Sequence, residues 1–78
     1  MKIEVLGRGC ANCRRLEENA REAAGMAGVD AEVVHIYDEV EIARRGILRT
    51  PGLFIDGKLV SFGRVPSAGD IAVMISEA

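Results

Sequence analysis

The sequence predicts an α/β domain of element order β-α-β-α-β-β-α, with a four-stranded mixed sheet and three helices covering both of its faces. Three observations carry this reading. Short apolar runs of strand length alternate with segments of helical periodicity. Asp56-Gly57 stands between two such runs, a strong signal for a two-residue hairpin. Two strands separated by a helix are expected to run parallel through a right-handed crossover, so the antiparallel hairpin makes the sheet mixed.

Each element has its own justification. Lys2 to Leu6 reads as a strand with Ile3 and Val5 on one face and Glu4 between them, and Gly7-Arg8-Gly9 ends it. From Ala11 to about Ala27, Cys13, Leu16, Ala20, Ala23, Ala24 and Ala27 recur at i, i+3, i+4 spacing, the apolar face of a helix. Its other face is charged, with Arg14–Glu18 and Glu17–Arg21 expected as i,i+4 pairs, and Gly28 ends it. Ala31 to Tyr37 is a second strand. Asp38, three residues before Glu41, resembles a capping box opening a short helix to Arg45, which Gly46 stops. Pro51 cannot continue a helix and biases Thr50 toward extended backbone. Gly52–Ile55 and Lys58–Gly63 are the hairpin strands. Ser67, after Pro66 and with Asp70 three positions on, opens a last helix carrying Ile71, Met74 and Ile75. Met26 and Met74 are expected at core or helix-face positions, Tyr37 and Phe62 in the core or in sheet packing, His35 as an ordinary strand residue, and Phe54 either in the core or bordering the site.

The composition narrows the function. A chain of 78 residues, 49% hydrophobic and 28% charged, makes one domain over residues 1–78. Ten basic against twelve acidic residues leave a net charge of −2, which argues against a nucleic-acid partner held by phosphate contacts. Apolar runs fall far short of the roughly 20 residues that span a bilayer. Glu4 interrupts what would be the apolar stretch of a signal peptide. A cytoplasmic, non-membrane protein acting as a monomer is the expectation.

Cys10 and Cys13 are the only cysteines. A bridge between them closes so small a ring that it stabilises the fold by only about 2 kcal/mol, less than a structural staple should. Redox chemistry or metal binding is the alternative. Cys10 falls between a strand end and the first turn of a helix, where unpaired backbone N–H groups and the positive end of the helix dipole favour an anion. Arg8, Arg14 and Arg15 stand close enough in sequence to add to that field, and Arg8 is also a candidate for steering anionic partners. A thiol near pKa 8.5 is only about 3% ionised at pH 7, whereas one shifted to about 7 is half thiolate. Cys10, nearer the loop, is therefore read as the attacking thiol, and Cys13, one turn inside on the apolar face, as the resolving one. Asn12 stands between them as a possible hydrogen-bond partner. A closed zinc site needs two more donors, and His35 is the only histidine, so no metal is expected.

Gly9-Cys10-Ala11-Asn12-Cys13 after a first strand, Thr50-Pro51-Gly52 before a third and the Asp56-Gly57 hairpin together resemble the small thioredoxin- and glutaredoxin-like redox-active disulfide proteins of archaea and bacteria. The resemblance covers essentially the whole chain. It implies a minimal thioredoxin fold lacking the extra N-terminal strand and helix of full thioredoxins. It also implies a cis Thr50–Pro51 bond beside the disulfide, with the Thr50 backbone presented to an extended substrate segment by strand addition. Glu4 has the spacing of the buried acid that thioredoxins keep six residues before the first cysteine, a candidate for proton transfer with Cys13 against the plainer reading of an acid on a partly exposed strand face. The chain departs from relatives as well. Gly9 replaces the Trp before the first cysteine, Ala11-Asn12 replace Gly-Pro or Pro-Tyr between the pair, and only Thr50-Pro51, Gly63 and Asp70 suggest fragments of a glutathione pocket.

The implied function is a dithiol–disulfide oxidoreductase needing no cofactor beyond the Cys10–Cys13 pair. Its partners are disulfide-containing proteins and, for re-reduction, a thioredoxin-reductase-like donor or a low-molecular-weight thiol. The competing reading is a carrier of soft metal, Cu(I) or an arsenical, on the same two thiolates. Copper chaperones have Met where Arg8 stands and finish on a strand, whereas Ser67 to Ala78 reads as a helix. A third reading is a thioredoxin-fold adaptor whose thiols serve mainly to bind ligands.

Overall fold

Alternation along the first strand decides which side of the sheet each helix covers. The computed structural model describes residues 1–78. In β1 (Lys2–Leu6), Ile3 and Val5 point to one face and Glu4 and Leu6 to the other. Ile3 and Val5 join Leu16, Ala20 and Ala23 of α1 (Ala11–Ala27), and Ile71 and Ile75 of α3 (Ala68–Glu77), in the main core. Leu53 and Ile55 of β3 (Gly52–Ile55) complete that layer. On the other face Leu6 and Phe54 meet Ile42 of α2 (Glu39–Arg44) and Ile47. Burying each such aliphatic side chain contributes about 1.5–3 kcal/mol.

The strand order is β2-β1-β3-β4, with β2 (Glu32–Ile36) and β4 (Lys58–Phe62) at the edges. β1 pairs in parallel with β2, Val5 opposite His35, and antiparallel with β3, Leu6 opposite Gly52. β3 and β4 form the hairpin, in which a bulge at Leu53/Phe54 places Leu53 opposite Ser61 and Phe54 opposite Leu59. Seven elements in the expected order, on a mixed four-stranded sheet with helices on both faces, make the fold.

Local chemistry sets the boundaries. Gly28 takes the left-handed conformation (φ 68°) that ends α1, its N–H turned back toward the carbonyls of Ala24 and Gly25. Ser67 caps α3 by accepting from the Asp70 N–H at 3.1 Å. Asp38 caps α2, but by accepting from Val40 N–H, and the Glu41 carboxylate turns to Arg45 instead of closing a capping box. The helix stops at Arg44, one residue short of the expected end, with Arg45 as its C-cap. Of the two ion pairs expected along α1, Glu17–Arg21 forms at 2.8 Å and Arg14–Glu18 does not.

Two side chains expected in packed positions, Tyr37 and Phe62, are largely solvent-facing, and Met26 takes the helix-face alternative. Met26 lies on the outer side of α1, and Tyr37 and Phe62 stand at or past strand ends where no helix covers them. The chain termini meet at the pole of the sheet that carries the Asp56–Gly57 turn. Met1 and Lys2 pair there with Asp30 and Asp56, and Ala78 lies beside Lys58 and Leu59. No helix is long and apolar enough to cross a membrane.

Candidate active site

The opposite pole gathers the end of β1, the start of β3 and the start of α1. Cys10 is the N-cap of α1, with extended backbone (φ −71°, ψ 173°) and no side chain capping the helix. Its carbonyl accepts the first helical bond, from Arg14 N–H at 3.0 Å. The first-turn amides are thus left to whatever anion stands there, and the nearest group is the Cys10 sulfur itself. Cys10 is exposed, Cys13 fully buried, and their sulfurs lie 3.1 Å apart as free thiols sharing a hydrogen bond.

The two thiols are driven apart in acidity. The hydrogen bond from Cys13, then the backbone amides of Cys13 and Asn12, hold the Cys10 thiol below its ordinary range. Burial pushes Cys13 up, and the bond to Cys10 pushes it further, while the amides of Gly9 and Cys10 pull it down. An exposed thiolate beside a buried proton-bearing thiol is the division of labour expected of an attacking and a resolving sulfur. The groups that favour the Cys10 anion are a sulfur and backbone dipoles, and none is an arginine. Arg8, expected to contribute to that field, is instead mostly exposed and paired with Glu39 at 2.9 Å. Asn12 contributes through its amide, its side chain being exposed.

Pro51 closes the site from the β3 side. The Thr50–Pro51 peptide bond is cis, Pro51 is buried, and its carbonyl accepts from Gly63 N–H at 3.0 Å. Gly7 lies between Pro51 and Cys13. A Cβ there would collide with Cys13 Sγ and come within 3.8 Å of Pro51 Cα, so the missing side chain lets the sulfur sit against the end of β1. Thr50 is exposed, and neither its N–H nor its carbonyl has a backbone partner. Beside it a cleft of about 360 Å³ is walled by Ile42, Ile47 and the exposed Leu48, with the Arg8–Glu39 pair at its rim.

Glu4 is not brought to the sulfurs. Strand alternation sends it to the opposite sheet face, where it is only 5% exposed and bound through both oxygens to Arg45, at 2.9 and 3.3 Å. Arg45 also bonds Glu41 and lies 5.0 Å over the Phe54 ring. The guanidinium holds the Glu4 carboxyl below the usual carboxylate range, so it stays ionised at neutral pH and is a poor acceptor for a passing proton. This corrects both expectations for Glu4: it is buried, and it is spent on a structural ion pair. Phe54 packs in the same cluster rather than bordering the site. The residues that sequence reasoning passed over are Gly7, His35 and Tyr37. His35 Nε2 stands 3.3 Å from the Gly7 carbonyl, and the Tyr37 ring lies against Gly9. A glycine at a strand end before a C-x-x-C pair was the one available signal for a close approach.

Comparison with known proteins covers nearly the whole chain. Residues 1–76 match the thioredoxin domain family. A thioredoxin of Methanothermobacter thermautotrophicus is 46% identical over 76 residues, covering 97% of this chain and 99% of that protein. A thioredoxin of Methanocaldococcus jannaschii is 38% identical over 69 residues, 88% of this chain and 79% of its own.

Proposed function

This chain belongs to the thioredoxin domain family, and from that premise we propose that it is a dithiol–disulfide oxidoreductase whose working groups are Cys10 and Cys13. The observation that carries the reading is the sulfur pair itself: 3.1 Å apart, one exposed and acidified at a helix start, the other buried and holding its proton. Two relatives named thioredoxin, aligned over most of their length, support the same activity. Nothing favours the soft-metal alternative.

The geometry supports a two-step exchange. The Cys10 thiolate attacks one sulfur of a substrate disulfide. That S–S bond breaks, and the departing thiolate takes a proton from solvent. Cys13 then loses its proton and attacks Cys10 Sγ, expelling the second substrate thiolate as the Cys10–Cys13 disulfide forms. Two electrons pass from the pair to the substrate, and a reductase or low-molecular-weight thiol must return them. The free Thr50 N–H and carbonyl are suited to pairing with an extended substrate segment, with the cleft beside Leu48 receiving an apolar side chain.

Reduction of insulin disulfides with dithiothreitol as electron source tests the reading. The native chain should accelerate it, and Cys10→Ser should abolish the acceleration. Cys13→Ser should accumulate a mixed disulfide through Cys10, seen by mass spectrometry. Equal trapping through Cys13 in a Cys10→Ser chain would overturn the assignment of the two roles. Failure to reduce insulin together with tight stoichiometric Cu(I) binding would replace the reading with the carrier one.

A further inference from the structure

β2 is an edge strand, yet its last side chains turn toward the cysteine loop. The His35 side chain is only 5% exposed, and both ring nitrogens face oxygen acceptors. Nδ1 lies 2.9 Å from Glu17 Oε1, and Nε2 lies 3.3 Å from the Gly7 carbonyl. The Glu17 carboxyl is held ionised by Arg21 and by His35, so it accepts from the ring and cannot donate to it. Tyr37, two residues on and so on the same side of the strand, stacks on the imidazole at 4.0 Å with the rings 11° from parallel. Its edge meets Gly9, where a Cβ would stand 2.8 Å from Tyr37 Cε1.

The two side chains therefore border the Gly7–Gly9 turn at both ends, His35 Nε2 standing 3.3 Å from the Gly7 carbonyl and the Tyr37 ring lying against Gly9. Arg8, between the anchors, points to solvent. Both glycines act on the buried sulfur. Gly7 abuts Cys13 Sγ, and Gly9 supplies one of the amides that favour its thiolate. Tyr37 is 57% exposed and adds little to the core, so its service is to the turn.

We propose that His35 and Tyr37 are positioning residues for the dithiol: they clamp the Gly7–Gly9 turn and so keep Cys13 where it can close on Cys10. The inference rests on the oxidoreductase reading, because it assigns the device that makes ring closure efficient. Intramolecular closure gains from prepaid orientation, and a loosened turn gives that gain back.

The test is the equilibrium of the Cys10–Cys13 disulfide of the full chain in glutathione redox buffers, read by alkylation and mass spectrometry. Tyr37→Ala and His35→Ala should each lower the constant for closing the disulfide by about five- to tenfold. Tyr37→Phe should restore it to within about twofold, because the ring and not the hydroxyl makes the contact. Should His35→Ala fail to melt cooperatively, Tyr37→Ala decides, since its ring is more than half exposed. Alanine variants that match a native pair still cycling normally would overturn the clamp and leave the oxidoreductase reading standing. If the native pair does not cycle, that reading falls instead. The clamp is then judged by Gly9 amide exchange in the reduced protein. It should quicken about tenfold in Tyr37→Ala, and an unchanged rate overturns the proposal.

Discussion

Cys10 and Cys13 are one residue type three positions apart, and their surroundings alone make them chemically different. Cys13 is one helical turn further into α1, far enough to pass from solvent to core, while the hydrogen bond between the sulfurs acidifies one at the other's expense. Since that bond is the largest influence on Cys10, Cys13→Ala should raise the Cys10 thiol pKa. In the native chain, iodoacetamide should alkylate Cys10 with a pH midpoint below that of the same thiol in urea, and the Cys13→Ala midpoint should lie between the two. An unchanged midpoint would mean that the helix amides do the work alone. The placing of both cysteines was legible from spacing, because a strand end, a glycine break and an amphipathic helix leave little choice. The fate of Glu4 was not. Its partner Arg45 lies 41 residues away and reaches it only because a helix C-cap hangs over the right sheet face.

At the scale of elements, the same few rules place nearly everything. Periodicity gave α1 its full span, and the Ser67 and Asp56-Gly57 signals marked a cap and a turn that the structure contains. Errors gathered at edges and ends, where Tyr37 and Phe62 lose the helical cover that a pattern of residues cannot foresee. His35 shows the same limit: as a strand residue it was read correctly, but only the parallel register that sets it opposite Val5 brings it under α1 and against Glu17. α1 should be the element on which stability most depends, since Leu16 is fully buried between it and the sheet. Leu16→Ala should cost about 2–5 kcal/mol in urea unfolding. Ser67→Ala, which removes one cap bond at the exposed start of α3, should cost about 1 kcal/mol.

Across the whole molecule, the ionic contacts predict how the fold answers to acid. Glu4 and Glu17 have folded-state pKa values lowered by Arg45 and by Arg21 with His35. Their contribution is complete above the ordinary carboxylate pKa of about 4.3 and is lost as pH falls through the lowered folded values. Urea midpoints should therefore hold near neutral pH and drop on the acid side. Glu4→Gln should lower the neutral plateau by about 1–3 kcal/mol, since it strands part of a half-buried guanidinium, and should flatten the acid limb. An acid limb as steep as the native one would mean that other carboxylates govern it. The molecule also has a polarity of another kind. Met1 and Ala78 share the end of the sheet that bears the Asp56–Gly57 turn, a full strand length from the sulfurs. A resin, a tag or a neighbouring protein joined at either end would leave the reactive pole facing open solution, so the protein can be handled, like a tool with its grip at the back, without blunting it.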